Sequence, residues 1–274
     1  MPRDSAPNHD RDDGLPVSDV GEWALRKHAL LSRYLEISAA TRRKYRHRGY
    51  LDLLAGPGRS RVRESGMLID GSPLVACQVA RATRSDFTAI HVAESDADYR
   101  SALATRLTAN GFKATVHEKP AEAAAEDAVA GLDKWGLHFA FIDPFNLAAL
   151  PFSMIETLAK VKRMDMLIHV SAMHLKREFW TLVDPGNSTL ERFAPGWQTK
   201  VDTRQRQDVV RREIFDHWLS LIHGLRFGAD REGVVPVVNG RNSELYWLVL
   251  ISRHELAAKF WDAARDIDAQ GQLL

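Results

Sequence analysis

The sequence has very little cysteine and no long apolar run. Cys77 is the one cysteine among 274 residues, so no internal disulfide can form, and no Cys/His cluster has the spacing of a zinc site. Its apolar neighbours favour a buried, unreactive thiol. Residues 1–19 also lack an apolar run, so they are neither a signal peptide nor a membrane span. We expect a cytoplasmic protein that begins with a disordered tail over residues 1–19 and contacts no membrane.

An excess of charge of one sign is also missing. Lys and Arg number 37 against 36 for Asp and Glu, which gives a net charge of +1. No global field attracts nucleic acid, so nucleic-acid binding would need a local patch. The apolar content of 45% and charged content of 27% are those of a folded globular protein. The length predicts a single domain over residues 20–274.

Apolar periodicity predicts alternating strands and helices after an N-terminal helical segment at 20–41. Strands are predicted at 49–54, 87–92, 114–117, 138–142, 165–170, 234–238 and 245–252. Helices are predicted at 73–84, 97–110, 121–135, 151–163, 205–224 and 255–269. We expect an inserted loop and helix around 184–224. The alternation favours an α/β fold with a mostly parallel sheet and helices on both faces.

Acidic residues and a glycine turn follow successive predicted strands. Asp52 ends the first strand, and Gly56 and Gly58 lie just beyond it. Glu94, Glu118 and Asp143 follow later strands, at the sheet edge where open parallel sheets bind ligands. Glycine lets the backbone approach a ligand closely, and a strand-end carboxylate can accept both ribose hydroxyl hydrogens. The pattern predicts a nucleoside site, although glycines in such turns also occur for geometry alone.

Two other nucleotide-binding patterns are absent. Glu94 lies 36 residues after Gly58 (94 − 58), whereas the ribose acid of a dinucleotide site lies about 20 residues on. The turn is followed by Arg59-Ser60 and not by Gly-Lys-Ser/Thr, which argues against a phosphate-cradling ATPase loop.

Four segments carry a resemblance to a known family. They are 50–58 (YLDLLAGPG), 71–74 (GSPL), 92–94 (VAE) and 141–145 (FIDPF). Together they resemble the three-Cys-motif partner (TcmP) family, over roughly residues 23–252.

The resemblance implies a Rossmann-like class I methyltransferase fold with a seven-stranded sheet, one strand of it antiparallel. It implies S-adenosylmethionine as cofactor, with the methionine part on the loop after the first strand and the ribose on the second-strand acid. It also implies a partner, a radical-type iron–sulfur protein with three cysteines. The predicted cofactor-binding residues are Asp52, Ala55, Gly56, Gly58, Glu94 and Glu118. No metal is predicted to bind this chain.

Asp143, Pro144 and Phe145 are the predicted catalytic residues. They stand where amino-methyltransferases acting on bases carry an Asp/Asn-Pro-Pro-aromatic motif, and the second proline is missing here. In such a site the carboxylate accepts a hydrogen bond from the amine while the aromatic ring stacks on the base. The alternative is a strand-terminal Asp that caps the following turn.

The densest positive charge lies at 42–48, with more arginine at 59–63. The predicted nucleic-acid contacts are Arg43, Tyr45, Arg46, Arg59 and Arg61, through phosphate binding and stacking. A solvated charged face explains the same residues. The histidines, His169 and His174 among them, show no metal spacing and are interpreted as packing or surface residues.

The sequence therefore predicts a methyltransferase acting on nucleic acid, with a base amino group as one acceptor. Two alternatives stay open. One is a methyltransferase for a small molecule or a protein, and the other is a cofactor-binding partner protein that has lost catalysis.

Overall fold

The structure is a computed structural model that describes residues 8–228, 233–238 and 243–271. The strands are β1 Asn8–His9, β2 Pro16–Val20, β3 Arg48–Asp52, β4 Arg59–Val62, β5 Leu68–Asp70, β6 Ala89–Ala93, β7 Thr115–His117, β8 Leu137–Ile142, β9 Met164–Val170, β10 Val235–Val238 and β11 Glu244–Ile251. The helices are α1 Trp23–Arg42, α2 Ser72–Ala82, α3 Ala97–Ala109, α4 Ala121–Gly131, α5 Phe152–Ala159, α6 Ala172–Arg177, α7 Phe179–Leu182, α8 Thr189–Phe193, α9 Gln207–Gly224 and α10 Glu255–Gly271. Two short 3₁₀ helices occupy Leu147–Ala149 and Trp197–Thr199.

The main sheet has seven strands in the order β10-β11-β9-β8-β3-β6-β7. β3 pairs in parallel with β6 and β8, and β6 pairs in parallel with β7. β11 runs antiparallel to β9 and to β10. The mixed α/β fold is confirmed, with a mostly parallel seven-stranded sheet and one antiparallel strand.

The described chain divides into two compact units. The first comprises residues up to 124 together with 135–141, and the second comprises 125–134 together with the residues from 142 onward. The single domain predicted over 20–274 stays a prediction. The two units are described separately below.

The first unit buries the faces of its strands against helices. The aromatic ring of Phe139 on β8 stacks on Tyr34 of α1, with ring centroids 5.3 Å apart. α2 packs beside α1 and carries Cys77, which is buried. Burial raises the pKa of the Cys77 thiol to about 12, so the thiolate is scarce at neutral pH. This supports the prediction of an unreactive packing cysteine.

The N-terminal segment of the first unit is ordered, which corrects the prediction of a disordered tail for residues 8–19. β1 and β2 form a second sheet with the β4–β5 hairpin, in the order β1-β2-β4-β5. Val17 is buried, and the Asp10 side chain is buried through its ion pair with Arg59. Acidic residues made this segment resemble a disordered tail, but here they pair with arginines far along the chain. Residues 1–7 lie outside the described residues.

The stretch between the glycine turn and α2, where no strand was predicted, is the β4–β5 hairpin. β2 pairs in parallel with β4, with Ser18 opposite Ser60, and Ser18 Oγ lies 2.8 Å from Ser60 Oγ. The pairing partner lies 42 residues away in the sequence, so local periodicity does not reveal this strand.

The second unit contains β9, β10 and β11 with the C-terminal helices. The insertion predicted around 184–224 begins with α8 and a 3₁₀ helix, and its Phe193 and Trp197 side chains are buried. Phe193 stacks on Trp218 of α9, with ring planes 4° apart. The segment is therefore packed by its own aromatic residues. No helix within the described ranges is long and apolar enough to cross a membrane.

Candidate functional site

In the first unit, the predicted cofactor residues other than Glu118 lie at the carboxyl ends of β3 and β6. Asp52, the last residue of β3, lies opposite Val92 of β6. Just beyond, the backbone N–H of Ala55 donates a 3.0 Å hydrogen bond to the carbonyl of Ala93. This bond ties the turn after β3 to the end of β6, and Glu94 is the next residue of the chain. The glycine turn and Glu94 are thus held at the same edge of the sheet.

The two glycines of this turn share a left-handed backbone conformation but differ in their surroundings. Gly56 has φ +61° and Gly58 has φ +84°, both in the left-handed region that disfavours side chains. A Cβ on Gly56 would meet no atom within 4 Å, whereas a Cβ on Gly58 would lie 3.2 Å from Leu103 of α3. Gly58 also accepts a 2.7 Å backbone hydrogen bond from Gly71. Gly58 is therefore also constrained by packing, while Gly56 borders open space.

The Asp52 carboxylate is fully buried and bonded within the protein. It accepts hydrogen bonds from Ser72 Oγ at 2.6 Å and Tyr50 Oη at 3.1 Å. Burial, and then the Asp52 charge, raise the pKa of Tyr50 well above its ordinary value, so the phenol keeps its proton. A third, longer contact of 3.4 Å comes from the backbone N–H of Leu54. Asp52 therefore holds the turn and the start of α2 in place.

The remaining cofactor candidates offer carboxylates at different exposures. Glu94 is half-buried, and its Oε1 accepts a 2.9 Å hydrogen bond from the backbone N–H of Asp96. Asp96 in turn caps α3. Glu118 follows β7 and is exposed, and Ala55 is buried. Glu94 is thus oriented by the start of α3 and still reaches the surface.

A buried arginine connects this turn to the N-terminal segment. Arg106 of α3 is only 3% exposed, and its Nη1 donates to the carbonyls of Pro57 at 2.7 Å and Pro16 at 2.8 Å. Its Nε donates to the Asp13 carboxylate at 2.8 Å, and this hydrogen bond lowers the pKa of Asp13. Arg106 therefore links the glycine turn to residues 13–16 by hydrogen bonds.

The predicted nucleic-acid contacts fall into two groups. Arg59 pairs with the carboxylate of Asp10 at 2.5 Å, and Arg61 pairs with that of Asp19 at 3.1 Å. The acids of the N-terminal segment therefore neutralise both arginines.

Arg43, Tyr45 and Arg46 form the second group, between α1 and β3. Arg43 and Arg46 are exposed, and Tyr45 is half-buried. Arg43 donates a 2.9 Å hydrogen bond to the carbonyl of Thr83.

In the second unit, Asp143 follows β8 and is held by a histidine of β9. His169 Nδ1 lies 2.6 Å from Asp143 Oδ1, and the imidazole packs edge-on against Tyr246 of β11, with centroids 4.2 Å apart. The Asp143 side chain keeps 21% of its surface exposed, compared with 10% for His169. A buried imidazole beside a carboxylate carries its proton on the nitrogen that faces the acid. His169 therefore fixes the Asp143 carboxylate while leaving part of it accessible.

A second histidine holds the segment after Asp143. The backbone N–H of Leu147 donates a long 3.4 Å hydrogen bond to His174 Nδ1. Burial lowers the pKa of His174, which keeps the ring neutral and able to accept this bond. Pro144 is buried, while the Phe145 ring is 82% exposed. The structure thus brings Asp143 and an exposed aromatic ring together on a braced turn.

The histidines were interpreted from the sequence as packing or surface residues, and His169 shows what that interpretation missed. His169 is the penultimate residue of β9, and β9 lies beside β8 in the sheet. A strand-end residue next to a strand-end Asp was the available signal. Among the residues that the structure describes, no group of three His, Cys, Asp or Glu side chains is arranged to hold a metal ion.

No protein-family profile matches the chain, and no curated protein does either. Several solved structures are similar in fold. An O-methyltransferase from Bacillus cereus in complex with SAH is 14% identical, with a TM-score of 0.48 over 87% of this chain and 84% of that one. An rRNA methylase from Streptococcus thermophilus is 10% identical, with a TM-score of 0.39 over 85% of this chain and 97% of that one. An S-adenosylmethionine-dependent methyltransferase from Clostridium acetobutylicum is 9% identical, with a TM-score of 0.39 over 83% of this chain and 94% of that one.

Proposed function

We propose that the protein is an S-adenosylmethionine-dependent methyltransferase. The observation that carries the proposal is the edge formed by β3 and β6. There Gly56 borders open space, and Glu94 follows the strand to which the glycine turn is tied. A backbone without a side chain admits the methionine part of the cofactor, and the Glu94 carboxylate accepts the ribose hydroxyl hydrogens. Asp52 and Gly58 position the turn, and Ala55 and Glu118 are the remaining proposed cofactor contacts.

Asp143 is the proposed acceptor-side residue. In methyl transfer the lone pair of the acceptor attacks the methyl carbon, the carbon–sulfur bond breaks, and S-adenosylhomocysteine leaves with the electron pair on sulfur. The acceptor then loses a proton to solvent or to a carboxylate. The reaction needs alignment above all, so a carboxylate held by His169 contributes by accepting a hydrogen bond from the acceptor N–H or O–H. The exposed Phe145 ring offers a stacking surface for a planar acceptor.

Nucleic acid is the proposed acceptor class. Arg43, Tyr45 and Arg46 are the contacts that support it, since the acids of the N-terminal segment neutralise Arg59 and Arg61. We expect a salt-dependent affinity that falls in an Arg43→Gln/Arg46→Gln double variant and does not fall in Arg61→Gln. Equal losses of affinity in the double variant and in Arg61→Gln would mean that Arg43 and Arg46 do not form the nucleic-acid contact. The radical-type three-cysteine partner and the cytoplasmic location rest on the sequence alone and are proposals of the same kind.

The test of the function is calorimetric titration with S-adenosylmethionine. The full chain is compared with Glu94→Ala, with Glu36→Ala on the exposed face of α1 as the control. We expect saturable one-site binding that is lost or at least tenfold weaker in Glu94→Ala and unchanged in Glu36→Ala. No heat at millimolar cofactor in the parent protein would overturn the methyltransferase proposal.

Labelled methyl groups then test catalysis. Total RNA, DNA, protein and small-molecule fractions are each incubated with the protein and labelled cofactor. Transfer that is lost in Asp143→Ala supports catalysis at Asp143. Cofactor binding that survives Asp143→Ala, with no transfer to any fraction, favours the non-catalytic partner instead.

A further inference from the structure

A cavity of about 410 Å³ lies in the second unit, and none of its lining residues is among those assigned above. Its walls come from the start of α9 and from the two C-terminal strands: Asp208, Arg211, Arg212, Phe215, Val234, Pro236, Glu244 and Trp247. The volume lies within the usual range for small-ligand sites. The cavity thus has room for one nucleotide-sized ligand.

The cavity lies toward the carboxyl edge of the sheet. Trp247 pairs with Val170, the last residue of β9. The side chain of Gln207, the first residue of α9, donates a 2.9 Å hydrogen bond to the carbonyl of Lys176 in α6, which follows β9. Ligands of open α/β sheets bind outside the carboxyl ends of the strands. The position therefore suits a ligand site.

The polar groups of the wall offer both a donor and an acceptor. Arg211 is half-buried, its Nε is buried without a hydrogen-bond partner, and no ion pair engages its guanidinium within the described residues. Glu244, the first residue of β11, is exposed and likewise forms no ion pair there. Asp208, in contrast, pairs with Arg206 at 3.1 Å. The Arg211 guanidinium and the Glu244 carboxylate thus remain for a ligand.

The apolar groups of the wall offer an aromatic surface. The Trp247 ring is half-buried and packs on the buried Phe215 ring, with centroids 4.4 Å apart and planes 35° apart. Phe215 is itself stacked on Trp218. The indole is therefore held rigidly by a ring cluster and keeps part of its surface at the cavity. A planar ligand can stack there at little entropic cost.

We propose that this cavity binds one nucleobase. A ring stacks on Trp247, Arg211 donates to the acceptors of the base edge, and Glu244 accepts from an amino or imino group of the same edge. The two acids and two arginines of the wall balance in formal charge, which suits a neutral ring with mixed edges better than a bare phosphate. The base belongs either to a strand or to a free nucleotide. That it belongs to the methyl acceptor rests on the function proposed above.

The test measures binding of short single-stranded RNA by fluorescence anisotropy, with nucleoside monophosphates as competitors. Trp247→Leu, Arg211→Gln and Glu244→Gln are compared with two controls outside the cavity, Trp180→Leu and Arg204→Gln. Trp180 is 76% exposed, and the Arg204 side chain is 88% exposed. Thermal melting checks that each variant folds. If Trp247→Leu does not fold, Arg211→Gln and Glu244→Gln still test the proposal.

We expect Trp247→Leu to weaken binding by about tenfold, as for the loss of one base–aromatic stack. Arg211→Gln and Glu244→Gln weaken it several-fold and change the ranking of the four monophosphates, while the two controls do nothing. Competition by monophosphates indicates a free nucleotide, and binding of the strand alone indicates a nucleic acid.

Equal effects in cavity and control variants, or no binding of either probe, would overturn the proposal. Cofactor titration separates the two proposals. Binding of bases without binding of S-adenosylmethionine would support the cavity proposal and overturn the methyltransferase proposal. Binding of S-adenosylmethionine without binding of bases would overturn only the cavity proposal.

Discussion

The pairing of His169 with Asp143 makes a prediction in which activity and stability respond differently to substitution. Asn at position 169 places its amide nitrogen where Nδ1 of the imidazole lies, so it can still donate to Asp143. Gln places its amide near Nε2, and so it lacks that donor while filling more of the space beside Tyr246. We expect His169→Asn to keep most of the activity and His169→Gln to lose most of it. Asn keeps the hydrogen bond but leaves a larger cavity, whereas Gln fills more of the space and loses the bond, so the two variants should differ less in stability than in activity.

The magnitude follows from the bond that is lost. The 2.6 Å separation of His169 Nδ1 and Asp143 Oδ1 is that of a short, charge-assisted hydrogen bond. Such bonds contribute about 1.5–3 kcal/mol, which corresponds to about 10- to 100-fold in rate if the carboxylate loses its orientation. We therefore expect the rate of methyl transfer to fall by that factor in Gln and by less than about fivefold in Asn.

Two measurements check this. Transfer of labelled methyl groups gives kcat and KM for the parent and both variants, and urea unfolding gives their stabilities. Proton NMR adds a readout independent of turnover, because an imidazole N–H bonded to a carboxylate gives a downfield signal that Asp143→Ala should abolish. If activity follows stability across the series, or if Gln outperforms Asn in turnover, His169 does not position Asp143 and the reasoning is refuted.

Three further predictions concern the first unit. Gly56→Ala should cost about 1 kcal/mol in stability through its positive φ but weaken S-adenosylmethionine binding strongly, whereas Gly58→Ala should lower the melting temperature more because it also meets α3. Calorimetry and thermal melting separate the two, and a larger melting loss at Gly56 would contradict the assignment. Arg106→Met should lower the free energy of unfolding in urea by about 1.5–3 kcal/mol, because it removes the hydrogen bonds of a buried guanidinium to the partly exposed Asp13 carboxylate; a loss below about 1 kcal/mol would mean that this pair is dispensable. The pKa of His91 is lowered by burial and then by His117, so the unfolded chain binds more protons than the folded one below the ordinary value of 6.5. The contribution of His91 to the free energy of unfolding should therefore be complete above pH 6.5 and decrease as the pH falls below it. His117→Gln should reduce this dependence of stability on pH. An unchanged dependence would exclude the His91–His117 pair as its source.

Most of the fold follows from the sequence because its parallel strands are buried, continuous apolar runs. The structure places β3, β6, β8 and β9 within a few residues of the predicted strands, and α1, α3 and α9 likewise. Each of these elements carries its own periodic signal, which does not depend on a distant partner. The strand-end position of Asp143 follows in the same way.

The rest depends on pairings between distant residues. The acids of the N-terminal segment looked like those of a disordered tail, and Arg59 and Arg61 looked available for phosphate. In the structure these groups neutralise each other across more than forty residues. Complementary charges far apart in a sequence leave no periodic trace, so neither the ordered segment nor the pairing of these two arginines was predictable.

The bonds of Arg106 also bear on when the glycine turn is completed during synthesis. Its partner Asp13 lies 93 residues earlier in the chain, and the turn carbonyl of Pro57 lies 49 residues earlier. Both partners leave the ribosome well before α3 exists, and neither can be anchored until the helix has emerged. The nascent Asp13 carboxylate therefore stays solvated while β3 and α2 are made. The site at the end of β3 becomes rigid only as the third helix arrives, which makes its closure a late event in the folding of the first unit.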